Sequence, residues 1–166
     1  TRYTVSVWVK SATDSQMSFA GIVNKYDNNT NCNYGIDVTG NLLRINHNDG
    51  GWKSVETTLP LDQWAYIVGT YDGTQITLYK NGVFIGSVAA GTPQTSSSVD
   101  VLFGRQNTSA WPADSRYFNG AIDEVNIAGI ARSAEWIGAE YNNQYTPGTF
   151  APVGSETANT VRINGD

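Results

Sequence analysis

The stretch "QWAYIVGTYDGTQITLYKNGVFIGSV", residues 63–88, decides the fold. It holds three apolar-rich runs separated by Asp72-Gly73 and Asn81-Gly82, dipeptides favoured in two-residue hairpin turns. Three successive antiparallel strands are therefore predicted. The pattern continues outward on both sides. Upstream, "YTVSVWV" (3–9) places Val5, Val7 and Val9 on one face, and "MSFAGIVNKY" (17–26) reads as a second strand. After the turn-rich loop "DNNTNCN" (27–33), "YGIDV" (34–38) and "NLLRINH" (41–47) are split by "TGN", and the loop "NDGGW" (48–52) leads into "KSVETTL" (53–59). Downstream, a Ser/Thr-rich loop (92–98) precedes "VDVLFG" (99–104), and a long loop (105–116) leads to the strand "YFNGAIDEVNIAGI" (117–130). One segment, "RSAEWIGAEY" (132–141), is predicted helical, with Ser133 as N-cap, Glu135 near the positive helix end, and Trp136, Ile137 and Tyr141 as buried stripe. Strands at roughly 8–12-residue spacing, with one short helix near 133–141, predict an all-β fold. The expected architecture is a two-sheet antiparallel jelly-roll sandwich.

Composition agrees. The chain of 166 residues is 40% apolar but only 15% charged, so its polarity comes from Asn, Thr, Ser, Gly and Tyr. That balance suits short strands and tight turns and argues against disorder. At this length a chain buries roughly two-thirds of its unfolded surface, so neither disulfide nor metal is required to hold it. The net charge of −5 and the scattered Lys and Arg argue against nucleic acid and anionic membrane surfaces. No apolar run approaches a transmembrane helix, and no signal-peptide pattern appears. A start at Thr1 is expected of a processed product, an excised domain or one unit of something longer. Cys32, the single cysteine, reads as a small hydrophobe or an intermolecular link, and with one His the Cys/His zinc sites are excluded by count.

Two stretches carry a family resemblance. Trp64, Gly69, Tyr71, Asp72, Gly73, Tyr79, Asn81 and Gly82 stand where the central meander of laminin-G-like, concanavalin A-like jelly rolls has them. "FNGAIDEVNIAGIARSAEWIGAEY" (118–141) resembles that family's closing signature, and with the opening strand the resemblance covers residues 3–141. It implies an extracellular, secreted or cell-surface domain, mostly non-catalytic, that binds glycans or proteins or serves adhesion, often with calcium. Domains of this family usually begin with one more strand, which is not found before Tyr3. "NTVRINGD" (159–166) is similar to it, at the other end of the chain.

Catalysis is weighed first. Retaining β-glucanases of such folds need two carboxylates about 5 Å apart on one face. Asp123 and Glu124 are adjacent, so on a regular strand they point to opposite faces, and a non-enzyme is expected. Asp123 has two readings, a carboxylate clasp on backbone N–H groups or a calcium ligand completed by Asn164 or Asp166. For sugar binding the aromatic candidates are Trp52 and Trp111, with Asn46, His47, Asn48 and Asp49 as polar partners. Trp8, Trp64 and Trp136 are expected in the core, and His47 at the surface. Asn28 and Asn107 head N-glycosylation sequons.

The expected organisation is a jelly roll over 1–145, an extended Pro/Gly linker over 146–158 and a C-terminal strand over 159–166. In that strand Val161 and Ile163 would face inward, with Thr160, Arg162 and Asn164 outward. Burying two such side chains is worth roughly 1.5–3 kcal/mol each, enough to order the tail against an open sheet edge. It would close its own sandwich or, preferred, complete that of a neighbouring copy. Joined to another copy, "TVRINGD–TRYTVSVWV" is itself a hairpin with its turn at Asn164-Gly165. Two functions follow. One is a structural or adhesive repeat of a surface fibre linked through its C-terminal strand; the other is a carbohydrate-binding module of a secreted glycoside hydrolase.

Overall fold

Period-2 alternation sorts the side chains into layers. In the computed structural model, residues 1–27, 31–94, 99–106 and 116–150 are described. β1 (Tyr3–Ser11) sends Tyr3, Val5, Val7 and Val9 into the core, and β6 (Trp64–Tyr71) adds Ala65, Ile67 and Tyr71. β7 (Gln75–Lys80) contributes Ile76 and Leu78. Facing them, β2 (Gln16–Asp27) supplies Ala20, Ile22 and Val23, β3 (Asn31–Gly40) supplies Tyr34, Ile36 and Val38, and β4 (Leu42–Asn48) supplies Leu43 and Ile45. β5 (Trp52–Thr58), β8 (Val83–Ala89), β9 (Leu102–Phe103) and β10 (Gly120–Ala128) complete two antiparallel five-stranded sheets. The first runs β10-β1-β6-β7-β8 and the second β5-β4-β3-β2-β9. This is the predicted jelly-roll sandwich.

The predicted meander forms, with one turn changed. Asn81 and Gly82 both take positive φ, 53° and 78°, as a two-residue type I′ hairpin requires. The other turn spans three residues. Asp72 Oδ1 accepts from the backbone N–H of Thr74 at 2.8 Å and of Gln75 at 3.0 Å, so the side chain shapes the turn.

β1 is buried on both faces, because a helix lies on the outside of the first sheet. α1 (Ala134–Tyr145) begins where predicted, with Ser133 Oγ accepting from Trp136 N at 3.3 Å. Ile137 is fully buried against Trp8, Tyr66 and Val68, while Trp136 and Tyr141 are half-buried at the edge. The helix runs past the predicted end at 141 because Tyr141 and Tyr145, four residues apart, stack at 5.2 Å, and Tyr141 stacks on Trp8. Part of the segment expected as an extended linker over 146–158 lies within the described residues. Pro147–Phe150 forms a helical turn, α2, with Thr149 N and Phe150 N both donating to Thr146 O at 3.0 Å. Proline at a first helical position lacks only an N–H that would have had no partner.

Other departures are local. "VDVLFG" yields only the two residues of β9, and "YFNGAIDEVNIAGI" yields β10 from Gly120. Cys32 is fully buried, the small hydrophobe of the two readings, with its thiol donating to Asn46 O at 3.9 Å. The linking strand Thr160, Val161, Arg162, Ile163 and Asn164, together with Asp166, lies outside the described residues, as do Asn28, Asn107 and Trp111.

Candidate functional site

Among the described residues no helix covers the outer face of the second sheet, and strand register decides what stands on it. Gly21, Asp37, Arg44 and Glu56 sit side by side across β2, β3, β4 and β5, and the neighbouring row holds Gly35, Asn46 and Ser54. From these rows Asp37, Arg44, Asn46 and Ser54 form the floor of a groove of about 320 Å³. Trp52, the first residue of β5, and Phe19 provide aromatic walls, 45% and 38% exposed, and Gln106 and Arg116 close the remaining side.

Each wall has a local cause. β2 loses register with β3 between Gln16 and Ala20, and within that irregularity Phe19 takes φ 61°, which turns a large apolar side chain outward. Such a conformation is costly for a bulky residue and is found where a site fixes it. The ring is then occupied by cations: the guanidinium of Arg44 lies 4.3 Å and that of Arg116 4.8 Å from its centroid. The backbone at Arg105 and at Arg116 approaches because residue 21 is glycine. Gly21 N donates to Arg116 O at 3.0 Å, and a Cβ at Gly21 would lie 2.3 Å from the Arg105 carbonyl carbon. Only a residue without a side chain admits that backbone.

The floor is electrostatically set. Asp37 is 1% exposed, and burial pushes its carboxyl up to about 6 even though Arg44 and Asn46 both donate to it. Arg44 Nε reaches Asp37 Oδ1 at 2.7 Å, and Asn46 Nδ2 reaches Oδ2 at 2.6 Å. Arg44 Nη2, by contrast, is buried with no partner among the described residues. Arg116 Nη1 donates to Gln106 Oε1. The groove thus offers fixed donors between two aromatic walls, the arrangement that grips a polar ring with one apolar face.

The sugar-binding candidates separate. Trp52 and Asn46 belong to the groove. His47 does not, and its expected surface position is corrected: it is fully buried, on the opposite side of β4 from Asn46. Nε2 faces the Gly91 carbonyl at 2.9 Å, so it carries the proton, and Nδ1 accepts from the Tyr3 hydroxyl at 3.1 Å. Burial holds the imidazole below its ordinary pKa and neutral. Asn48 and Asp49 shape the adjoining loops. Asn48 Oδ1 accepts from Gly50 N at 2.9 Å, and Asp49 accepts from Gly91 N at 2.7 Å and pairs with Lys53 at 3.2 Å. Phe19, Asp37, Arg44, Ser54, Gln106 and Arg116 were not anticipated as a site. The alternation of Arg44, Asn46 and Asn48 against Leu43, Ile45 and His47 was the signal that could have found its floor.

A second hollow, of about 480 Å³, lies beside α1 and is lined by Trp8, Trp64, Asp123, Glu124, Gln144 and Tyr145. It corrects two expectations. Trp64, at the start of β6, is 43% exposed rather than core. Asp123 and Glu124 both line this hollow instead of facing opposite sides, because β10 carries a bulge opposite Ser6 and Trp8 and Glu124 takes φ 49°. Asp123 Oδ1 accepts from Glu124 N at 2.9 Å, a carboxylate clasp. Among the described residues no three His, Cys, Asp or Glu side chains converge to hold a metal.

The fold agrees with the comparisons with known proteins. Residues 1–138 match the family described as the concanavalin A-like lectin/glucanases superfamily, of the laminin-G type. The chain belongs to this superfamily. It matches none of the curated proteins. Among solved structures it resembles the binding domain of Paraclostridial mosquitocidal protein 1, at TM-score 0.66 and 18% identity, with 87% of this chain and 38% of that one covered. The receptor-binding domain of botulinum neurotoxin type G superposes at TM-score 0.65 and 15% identity, over 86% and 38% of the two chains. The binding domain of botulinum neurotoxin DC in complex with SialylT does so at TM-score 0.58 and 13% identity, over 86% and 35%. The laminin-G-type chain spans little more than a third of these structures, and at such identities the likeness shows the fold alone.

Proposed function

We propose that this chain is a non-catalytic, extracellular carbohydrate-binding module whose site is the groove on the outer face of β2–β5. The observation that carries this reading is the pairing of two exposed aromatic walls, Trp52 and Phe19, with a buried donor set that keeps an unpartnered guanidinium N–H. Members of this fold that resemble it are binding domains, one of them solved with SialylT, which supports a recognition role. A glycan array followed by calorimetry on the hits tests it: Trp52→Ala should abolish binding without changing the melting temperature. The absence of any glycan hit would overturn the reading. The two carboxylates beside α1 make hydrolysis the rival to exclude. Turnover of β-glucan substrates that disappears in Glu124→Gln would contradict a non-catalytic module.

A structural repeat linked through residues 159–166 is the second reading. It is favoured by the sheet edges: among the described strands β10 pairs only with β1, and β9 only with β2. An open edge accepts an added strand, and the tail has the alternation for it. Light scattering on the chain with and without residues 156–166 tests this, since loss of oligomers on truncation is required. Calcium bound by Asp123 with Asn164 and Asp166 belongs to the same reading. A melting temperature unmoved by chelator would remove it.

A further inference from the structure

The groove contains more positive charge than a neutral sugar requires. Among the described residues its lining charges are Asp37, Arg44 and Arg116, one net positive within a chain of net charge −5. Asp37 is matched by Arg44 at 2.7 Å. Among the described residues no ion pair involves Arg116, and Glu56, opposite Arg44 in the β4–β5 register, is exposed on the strand beyond the groove lining.

Geometry adds to the count. Both guanidiniums rest on the Phe19 ring, at 4.3 and 4.8 Å, which limits the rotation of two otherwise flexible side chains. Arg44 is further fixed through Nε, leaving Nη2 buried and unpartnered, and Arg116 is fixed through Nη1 on Gln106. Both guanidiniums therefore line one groove, Arg44 with its side chain 19% exposed and Arg116 held through one of its nitrogens by Gln106. A guanidinium edge matches the two oxygens of a carboxylate with two parallel charge-assisted hydrogen bonds. A neutral hydroxyl would satisfy one donor and leave the charge unanswered.

We infer that the sugar taken by this groove bears a carboxylate, held by Arg44 and Arg116 while Trp52 stacks against the ring. This rests on the carbohydrate-binding reading above and narrows it to acidic glycans. The carboxylate has two sources, a uronate repeated along a polymer or an acidic sugar at a chain terminus. Calorimetry on the intact chain separates them with hyaluronan oligosaccharides against their carboxyl-reduced form, and sialyllactose against lactose.

The expected result is at least a tenfold preference for one carboxylated probe over its carboxyl-free counterpart, and several-fold weakening between 50 and 500 mM salt. Arg116→Gln should erase the preference, and Arg116→Lys, which keeps charge but not the forked edge, should restore only part of it. Thermal melting of both variants verifies that they fold. Equal binding of the carboxyl-free probes, or a preference that survives Arg116→Gln, overturns the inference and leaves the carbohydrate-binding module standing. Failure of every probe, acidic or neutral, together with an empty glycan array, overturns both.

Discussion

The two outer faces of the sandwich began with similar material and ended differently. On the first sheet, Trp8 and Tyr66 stand on an outer face that α1 covers. There the aromatic rings are spent on one another and on the helix: Trp8 stacks on Tyr141 at 5.8 Å and its indole N–H donates to Gln144, while the Tyr66 hydroxyl donates to Glu140. On the second sheet no helix arrives among the described residues, and Trp52 and Phe19 flank a floor of fixed polar groups. The hollow beside α1 is the larger by volume, about 480 against 320 Å³, yet its carboxylates are exposed and two of its rings, Trp8 and Tyr145, stack on one another. Size is a poor guide here. A binding face is recognised by donors that are buried, oriented and still unsatisfied.

This contrast is open to attack, most forcefully at the helix side. Trp8→Ala should cost about 3–5 kcal/mol, because it removes the ring on which α1 docks, and should leave glycan affinity unchanged. Calorimetric melting and a binding isotherm together decide it; lost affinity in a folded protein would mean the two faces are coupled. Gly21→Ala comes next, at about 1–3 kcal/mol of overpacking, since a Cβ there meets the Arg105 backbone. Unlike Trp8→Ala, it should also weaken binding, because it displaces the segment bearing Gln106 and Arg116. Trp52→Ala should invert the first result, with affinity down at least tenfold, about 1.4 kcal/mol, and stability within about 0.5 kcal/mol.

The smallest effects are in pH. Asp37, on the groove face, has its carboxyl raised by burial to about 6, so between pH 4 and 6 the folded state holds a proton that the unfolded chain has released. Its contribution to stability therefore declines as pH rises through that window. His47, on the core face, has its pKa lowered by burial, so below pH 6.5 the unfolded chain takes a proton that the folded state refuses. Its contribution declines as pH falls. Urea midpoints measured across pH 4–7 should lose the first slope in Asp37→Asn and the second in His47→Gln. Identical profiles in both variants would show that these groups do not set the pH dependence.

Much of the fold was legible because it is written locally. Alternating valines in β1, the Asn-Gly turn after β7 and the Ser133 cap are each decided by neighbours a few residues apart. The site was legible only in pieces. Trp52 and Asn46 could be named as exposed aromatic and polar partner, but His47 was grouped with them although alternation along β4 turns it inward. Phe19, Arg44 and Arg116 escaped because nothing in their local sequence says that a strand irregularity, a register and a returning loop will bring them together.

By itself, then, the sequence determined the layers: the alternation that turns the valines of β1 inward, where the hairpins turn, that the chain folds as a two-sheet sandwich and that a short helix starts after Ser133. These follow from backbone periodicity and turn chemistry, which act over a few residues. Tertiary structure alone decided where the polar groups meet. The bulge at Glu124 placed two adjacent carboxylates on one side, and the absence of a side chain at Gly21 let Arg116 reach Phe19 from almost a hundred residues away. Contacts of that kind depend on register and on close backbone approach. Both are properties of paired strands rather than of any single one.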